Sequence, residues 1–193
     1  MSIQLQQNLI NNTRLITDRE SLFNILPKRG NIAELGVAHG KNSISMLSSN
    51  PTNLHLFDIN LTHVSDSDKA LLNKLTTVHY YEGNDLELLQ DIPDNFFDWV
   101  YLDSLHLYDH TWKELEILKT KVKSGGYICG HDYVTFDYRF YKILTEKKGR
   151  SVEQAMKSSY YNLRQCVNKF CNDNQFELAY LTTELHPSFA IQV

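Results

Sequence analysis

Asn31-Ile-Ala-Glu34-Leu-Gly36-Val-Ala-His-Gly40-Lys-Asn42-Ser43 joins a short apolar run to two glycines and then to a polar helix start. Residues 31–35 read as a buried strand, and residues 42–49 as a helix stopped by Asn50-Pro51. Glycine lets the backbone pass close to a ligand and take a positive φ. A helix opening at Asn42 points unpaired N–H groups at the same place. The spacing Gly36-x-x-x-Gly40 is not the G-x-G-x-x-G of a pyrophosphate-binding turn. Glu34, just before the turn, opposes a phosphate and suits a cationic group such as an amine.

Outward from this turn, strand-like and helix-like periodicities alternate. Strands are predicted at 54–57, 77–81, 97–102 and 127–130. Helices are predicted at 65–75 with Ser65 as N-cap, at 86–90, and at 108–122 with Trp112, Leu115, Leu118 and Val122 on one stripe. Ser124-Gly-Gly126 reads as a turn. A helix at 162–172 and two closing strands at 176–181 and 189–193 complete the pattern, and residues 3–26 read as helical in one or two pieces. Such alternation predicts an α/β, Rossmann-like, doubly wound sheet of seven strands, mostly parallel with a C-terminal antiparallel hairpin. In these sheets ligands bind at the carboxyl ends of the strands.

The 193 residues suit a single domain. A net charge of −4 gives no reason to expect a nucleic-acid partner. No apolar run is long enough to span a bilayer, and residues 1–7 lack a signal-like apolar region, so the expectation is a cytoplasmic protein without a membrane partner. The odd count of three cysteines fits a reducing compartment, and their spacing matches no zinc pattern. The segments at 1–28 leave three roles open: packing on the domain, capping the pocket, or mediating a homodimer.

Candidate chemistry sits at the strand ends. Asp58 ends the second predicted strand, where a carboxylate can accept both hydroxyls of a ribose. Glu82-Gly83-Asn84-Asp85 ends the third, and Asn84 or Asp85 can accept from an adenine amino group or cap the next helix. The fourth ends in Asp103-Ser-Leu-His106 and the fifth in Gly130-His131-Asp132-Tyr133. Asp103, His106, His131 and Asp132 thus surround one mouth, as a general-base constellation or as an oxygen and nitrogen metal site.

Residues 33–43 resemble the first motif of class I S-adenosylmethionine-dependent methyltransferases. Asp103-x-x-His106-x-Tyr108 after a hydrophobic strand, and Gly125-Gly126-x-x-x-x-His131-Asp132-Tyr133, resemble the paired motifs of one branch. That branch contains small-molecule O-methyltransferases akin to macrocin O-methyltransferase. The resemblance implies that Glu34, Gly36 and Gly40 line the methionine part of S-adenosylmethionine. Asp58 then holds the ribose, Asn84 and Asp85 the adenine edge, and Asp103 also borders the cofactor. Asp103 and Asp132 match positions that bind a divalent metal, usually magnesium, in some relatives. His131, the third member of that metal set, stands where several of them carry a second aspartate, a departure that disfavours magnesium because it prefers oxygen ligands.

The expected reaction is methyl transfer to a hydroxyl of a small molecule, a sugar or glycoside first among candidates. Asp103 holds the acceptor hydroxyl, and His106 or His131 takes its proton. Residues 133–161 read as a substrate-side insertion. Tyr133, Phe136, Tyr138, Phe140 and Tyr141 would form an aromatic wall, with Lys142, Lys147, Lys148 and Arg150 at its rim. The rival readings are a hydroxylase-like member of the same superfamily, a catalytically silent cofactor-binding module, and a nicotinamide-dependent dehydrogenase, the last disfavoured by the glycine spacing and Glu34.

Overall fold

A computed structural model describes residues 12–134, 146, 149, 151 and 162–193. The elements run β1 (Arg14–Ile16), α1 (Arg19–Ile25), β2 (Asn31–Leu35), α2 (Lys41–Met46), β3 (Asn53–Asp58), α3 (Asp66–Leu75), β4 (Thr77–Glu82) and α4 (Asp85–Leu88). They continue with β5 (Phe97–Leu102), α5 (Tyr108–Lys121), β6 (Val122–Gly130), α6 (Leu163–Asn174), β7 (Glu177–Thr182) and β8 (Phe189–Gln192).

The strands form one sheet of eight in the order β1-β7-β8-β6-β5-β2-β3-β4. β2, β3, β4, β5 and β6 are parallel, and β8 runs antiparallel between β6 and β7. The mostly parallel sheet with its closing hairpin is therefore the expected one, with eight strands instead of seven. The extra strand is β1, which lies inside the segment expected to be helical. It pairs in parallel with β7, Arg14 opposite Tyr180 and Ile16 opposite Thr182. Three residues are too few to show a period of two, and pairing with a strand some 165 positions away overrides local preference. Only the second half of the predicted helical segment, α1, is helical among the described residues.

The central strands β2 and β5 are mostly buried on both faces because helices cover both. On β5, Val100 and Leu102 enter one core with Leu115 and Leu118 of α5 and Val167 and Phe170 of α6. Trp99 and Tyr101 enter the other, with Leu22 and Phe23 of α1 and Met46 of α2. Ser124-Gly-Gly126 is a bulge within β6 and not a separate turn: Phe97 faces Val122, whereas Trp99 faces Tyr127. All three cysteines, Cys129, Cys166 and Cys171, are buried free thiols.

From β2 the chain steps outward to β3 and β4, then returns to β5 on the other side of β2. This reversal opens a crevice at the carboxyl ends of β2 and β5. Among the described residues no helix is long and apolar enough to cross a membrane.

Candidate active site

The turn after β2 is held in a conformation that few side chains permit. Gly36 has φ +86°, and a Cβ there would lie 2.2 Å from the Asp103 carbonyl oxygen. The two strand ends therefore touch backbone to backbone only because position 36 lacks a side chain. Ala38 also has a positive φ, +47°, an uncommon conformation for a residue with a Cβ. Asp58, at the end of β3, secures this turn. Its Oδ2 accepts from the amides of Val37 (2.7 Å) and Ala38 (2.8 Å), and its Oδ1 accepts from that of Asn60. Gly40 is buried at the start of α2 in the left-handed conformation, with Val64 where its side chain would be.

Two cavities of about 600 and 590 Å³ flank the turn and share Gly36, Ala38 and Asp103 in their walls. The one between the ends of β3, β4 and β5 is mostly apolar. Phe57, Ile59 and Leu105 line it, with Asp58, Asn84 and Asp85 supplying polar edges. Ile59 and Leu105 are 74% and 50% exposed, so this cavity presents apolar side chains that no part of the described protein covers. Asn84 is the N-cap of α4, its side chain accepting from the Leu86 amide. Asp85 accepts at 3.2 Å from His110 Nε2, which lies 3.6 Å from Glu114; Ser104 donates to the same Glu114 oxygen. These bonds raise the His110 pKa to about 10 and, against the effect of burial, lower that of Asp85. Burial pushes Glu114 upward.

The other cavity is polar, with Glu34 at its floor, Asp103 on one wall, and Arg19 and Asn42 facing them. Glu34 is fully buried. It accepts from Asn42 Nδ2 at 2.8 Å and from the Ser43 hydroxyl, both at the start of α2. Burial outweighs those bonds and raises its pKa to about 8.

The four residues expected at the mouth do come together. His106 Nε2 lies 3.1 Å from Asp103 Oδ1, and its Nδ1 lies 2.8 Å from Asp132 Oδ2. Both nitrogens face carboxylates, so the ring is held as imidazolium. Burial alone would lower its pKa, but the two aspartates raise it to about 9. For Asp132 burial acts upward, but the hydrogen bond and charge of His106 outweigh it and lower the pKa to about 2. His131 Nδ1 is 3.7 Å from Asp103 and 3.5 Å from Asp132, and burial lowers its pKa, so it is neutral near pH 7. Asp103 is the member of this group that lines the cavities, and the other three adjoin it.

Taken as a magnesium site, this cluster is a poor fit. Asp103 and Asp132 are already bridged by His106. A second imidazole, His186, bonds Asp132 at 2.8 Å, and Arg19 sits 3.7 Å from Asp103. Positive and nitrogen groups fill the positions where a hard cation needs oxygens.

A family model described as a methyltransferase domain matches residues 33–133, more than half of the chain. The chain belongs to this methyltransferase family. The match begins one residue before Glu34 and runs past the Asp103, His106, His131 and Asp132 cluster. Similar solved structures include a SAM-dependent methyltransferase from Methanosarcina mazei, at 16% identity and a TM-score of 0.65 over 92% of this chain and 99% of that one. A SAM-dependent methyltransferase from Aquifex aeolicus is 14% identical, with a TM-score of 0.56 over 97% of this chain and 96% of that one. An O-methyltransferase family protein from Burkholderia thailandensis is 15% identical, with a TM-score of 0.60 over 90% of this chain but 54% of its own length. No curated protein matches the sequence.

Several residues of the methyltransferase site were not read from the sequence. Arg19 arrives from α1, which the notion of an N-terminal helix placed but did not orient. His186 comes from the turn before β8. His110 and Glu114, four apart on α5, face one another as helical spacing allows, but nothing in their spacing says that they face Asp85. The proposed aromatic wall finds no support in Tyr133, which packs in the core near Phe189 and donates to Asn168 at 2.7 Å. Phe136, Tyr138, Phe140, Tyr141, Lys142, Lys147, Lys148 and Arg150 lie outside the described residues.

Proposed function

We propose that this methyltransferase uses S-adenosylmethionine to methylate a hydroxyl of a small molecule, with sugars and glycosides as the first acceptors to test. The observation that carries the reading is the pair of cavities meeting at Gly36 and Asp103. One has the apolar walls and polar edges that a purine nucleoside needs. The other has carboxyl groups suited to an ammonium and a sulfonium.

The residues fit that cofactor. Ile59 and Leu105 offer apolar surface to the base, and Asp85 and Asn84 offer acceptors at its edge. Asp58 spends three of its roughly four lone-pair sites on the turn and keeps one for a ribose hydroxyl. Glu34 meets the cationic tail. When bound, S-adenosylmethionine supplies a methyl group already activated by the sulfonium charge. The protein's own work is then to hold the acceptor and receive a proton. Asp103 accepts the single hydrogen bond of the acceptor hydroxyl and hands that proton on to the imidazole beside it. His131 takes the proton, because His106 is committed as an imidazolium between two aspartates whereas His131 is neutral. Of the two histidines open as bases in the sequence, the geometry favours His131.

Calorimetric titration with S-adenosylmethionine, with NAD as control, tests the cofactor. Transfer of labelled methyl to free sugars, glycosides and phenols tests the acceptor. Absence of binding at millimolar S-adenosylmethionine overturns the proposal. Binding without transfer to any hydroxyl compound leaves the silent cofactor-binding module as the better reading.

A further inference from the structure

We infer that Arg19, on α1, grips the carboxylate of the cofactor's amino-acid tail and so makes binding depend on that carboxylate. The inference rests on the S-adenosylmethionine reading above.

The segments on either side of Arg19 fix its place. β1 ties the preceding segment to β7. Thr183 then donates its amide to the Ile16 carbonyl at 2.9 Å and its hydroxyl to the Thr17 carbonyl at 3.1 Å. Asp18 caps α1, accepting from the Ser21 amide at 2.7 Å. Phe23 is fully buried, stacked on Trp99 and edge-on to Tyr101, with ring centroids 5.5 and 5.3 Å apart. The first turn of α1 is therefore fixed at both its start and its inward face. Its guanidinium lies 5.7 Å above the Tyr101 ring, at the wall of the polar cavity.

Next come its partners. Arg19 donates to Asn42 Oδ1 at 3.0 Å and approaches His131 Nε2 at 3.4 Å. Its nearest carboxylate contact is Asp103 at 3.7 Å, too long for a hydrogen bond and to one nitrogen only. A guanidinium has five donors in a planar fork that matches a carboxylate two-to-two. Arg19 makes no such bidentate pair with any of the described residues. Its position is set by packing and by Asn42, and part of the fork is left for the cavity.

Last comes charge matching. An amino-acid tail carries an ammonium and a carboxylate. Glu34 can take the ammonium by releasing its proton, whereas the Asp103 carboxylate repels that of the tail, so a cation is required opposite it. Lys41 lines the same cavity, but its side chain is 80% exposed and turns to Asp68 at 3.8 Å. Arg19 is the half-buried cation that faces Glu34 and Asp103.

The test compares S-adenosylmethionine with its decarboxylated form, which keeps the sulfonium and the ammonium but lacks the carboxylate. Both are titrated calorimetrically into the wild type, Arg19→Met and Arg19→Lys. Met keeps an aliphatic stem over Tyr101, and Lys keeps the charge but loses the fork. The expected result is that the wild type prefers the carboxylate-bearing form by roughly ten- to a hundredfold, as charged hydrogen bonds allow. Arg19→Met erases that preference by weakening S-adenosylmethionine while leaving the decarboxylated form within about threefold, a margin well below the loss of a charged hydrogen bond. Arg19→Lys falls between. Equal weakening of both ligands by Arg19→Met, or a wild type that binds them equally, overturns the inference while the cofactor reading stands. A wild type that binds neither form overturns both.

Discussion

Glu34 to Gln removes one ionisable proton from a fully buried position of the site, and its effect on stability should depend on pH in a defined way. In the unfolded chain the carboxyl titrates near 4.5, and in the folded protein burial moves it to about 8. A raised pKa means that Glu34 costs nothing below pH 4.5. Between 4.5 and 8 the folded state must retain a proton that the unfolded state releases. Stability relative to a non-titrating side chain therefore falls tenfold in the folding constant for each pH unit, and levels off above 8. At pH 7 the accumulated cost is about 3 kcal/mol, and at pH 8 about 4 kcal/mol. Glutamine keeps an oxygen to accept from Asn42 and gains an amide that can donate to Ser43. Urea unfolding of wild type and Glu34→Gln without ligand, from pH 5 to pH 9, gives the comparison. The variant should become progressively more stable relative to wild type up to pH 8 and then hold a constant advantage. Two stability curves that stay parallel over this range would falsify the idea that the folded protein keeps Glu34 protonated. The same variant should bind S-adenosylmethionine more weakly, since Glu34 can release its proton when an ammonium arrives beside it whereas glutamine cannot.

Asp103→Asn should reduce methyl transfer at least a hundredfold, a far larger factor than its effect on S-adenosylmethionine affinity; initial rates beside titration calorimetry decide it, and a near-normal rate removes Asp103 from the mechanism. The pH dependence of transfer should show an acid limb with its midpoint below 6.5, because burial lowers the pKa of His131 and a base acts only when deprotonated. A limb near 9 would identify His106 as the base instead. Gly36→Ala combines a positive φ with a Cβ 2.2 Å from a backbone oxygen, and should cost more than about 2 kcal/mol in urea unfolding. Equal stability would mean that the β2 and β5 ends are not in contact.

Much of the fold was legible because parallel strands covered on both faces are near-continuous apolar runs. Phe97–Leu102 was read with its observed bounds for that reason. β1 was not legible: Arg14-Leu-Ile16 is too short for a pattern, and Leu15 is 70% exposed, so half of the usual burial signal is missing. In the site, Asp103, His106, His131 and Asp132 could be grouped because topology alone puts the ends of β5 and β6 side by side. Their individual roles could not. That His106 is an imidazolium and His131 neutral depends on which nitrogen meets which oxygen within a few tenths of an ångström. Arg19, His110 and Glu114 belong to helices, and the direction in which a helix presents a polar side chain follows from how its apolar face seats. For Arg19 that seat is Phe23 against Trp99 and Tyr101, a contact between residues more than 70 positions apart.

The strand order places β1 at the border of the sheet, four positions from β5, yet the helix that follows it delivers Arg19 to the tip of β5. Among the described residues β1 is hydrogen-bonded along one side only. The rim of the reaction centre is thus fastened by a clasp at the sheet's margin, held by three residues of ladder, two bonds to Thr183 and one aromatic plug. Peeling β1 from β7 would loosen the approach to α1 and so the hold on Arg19 beside Asp103, while the ladder of β2, β5 and β6 stays paired and Phe23 stays seated on β5. Local fraying at the margin would then be felt at the mouth well before the domain itself comes apart.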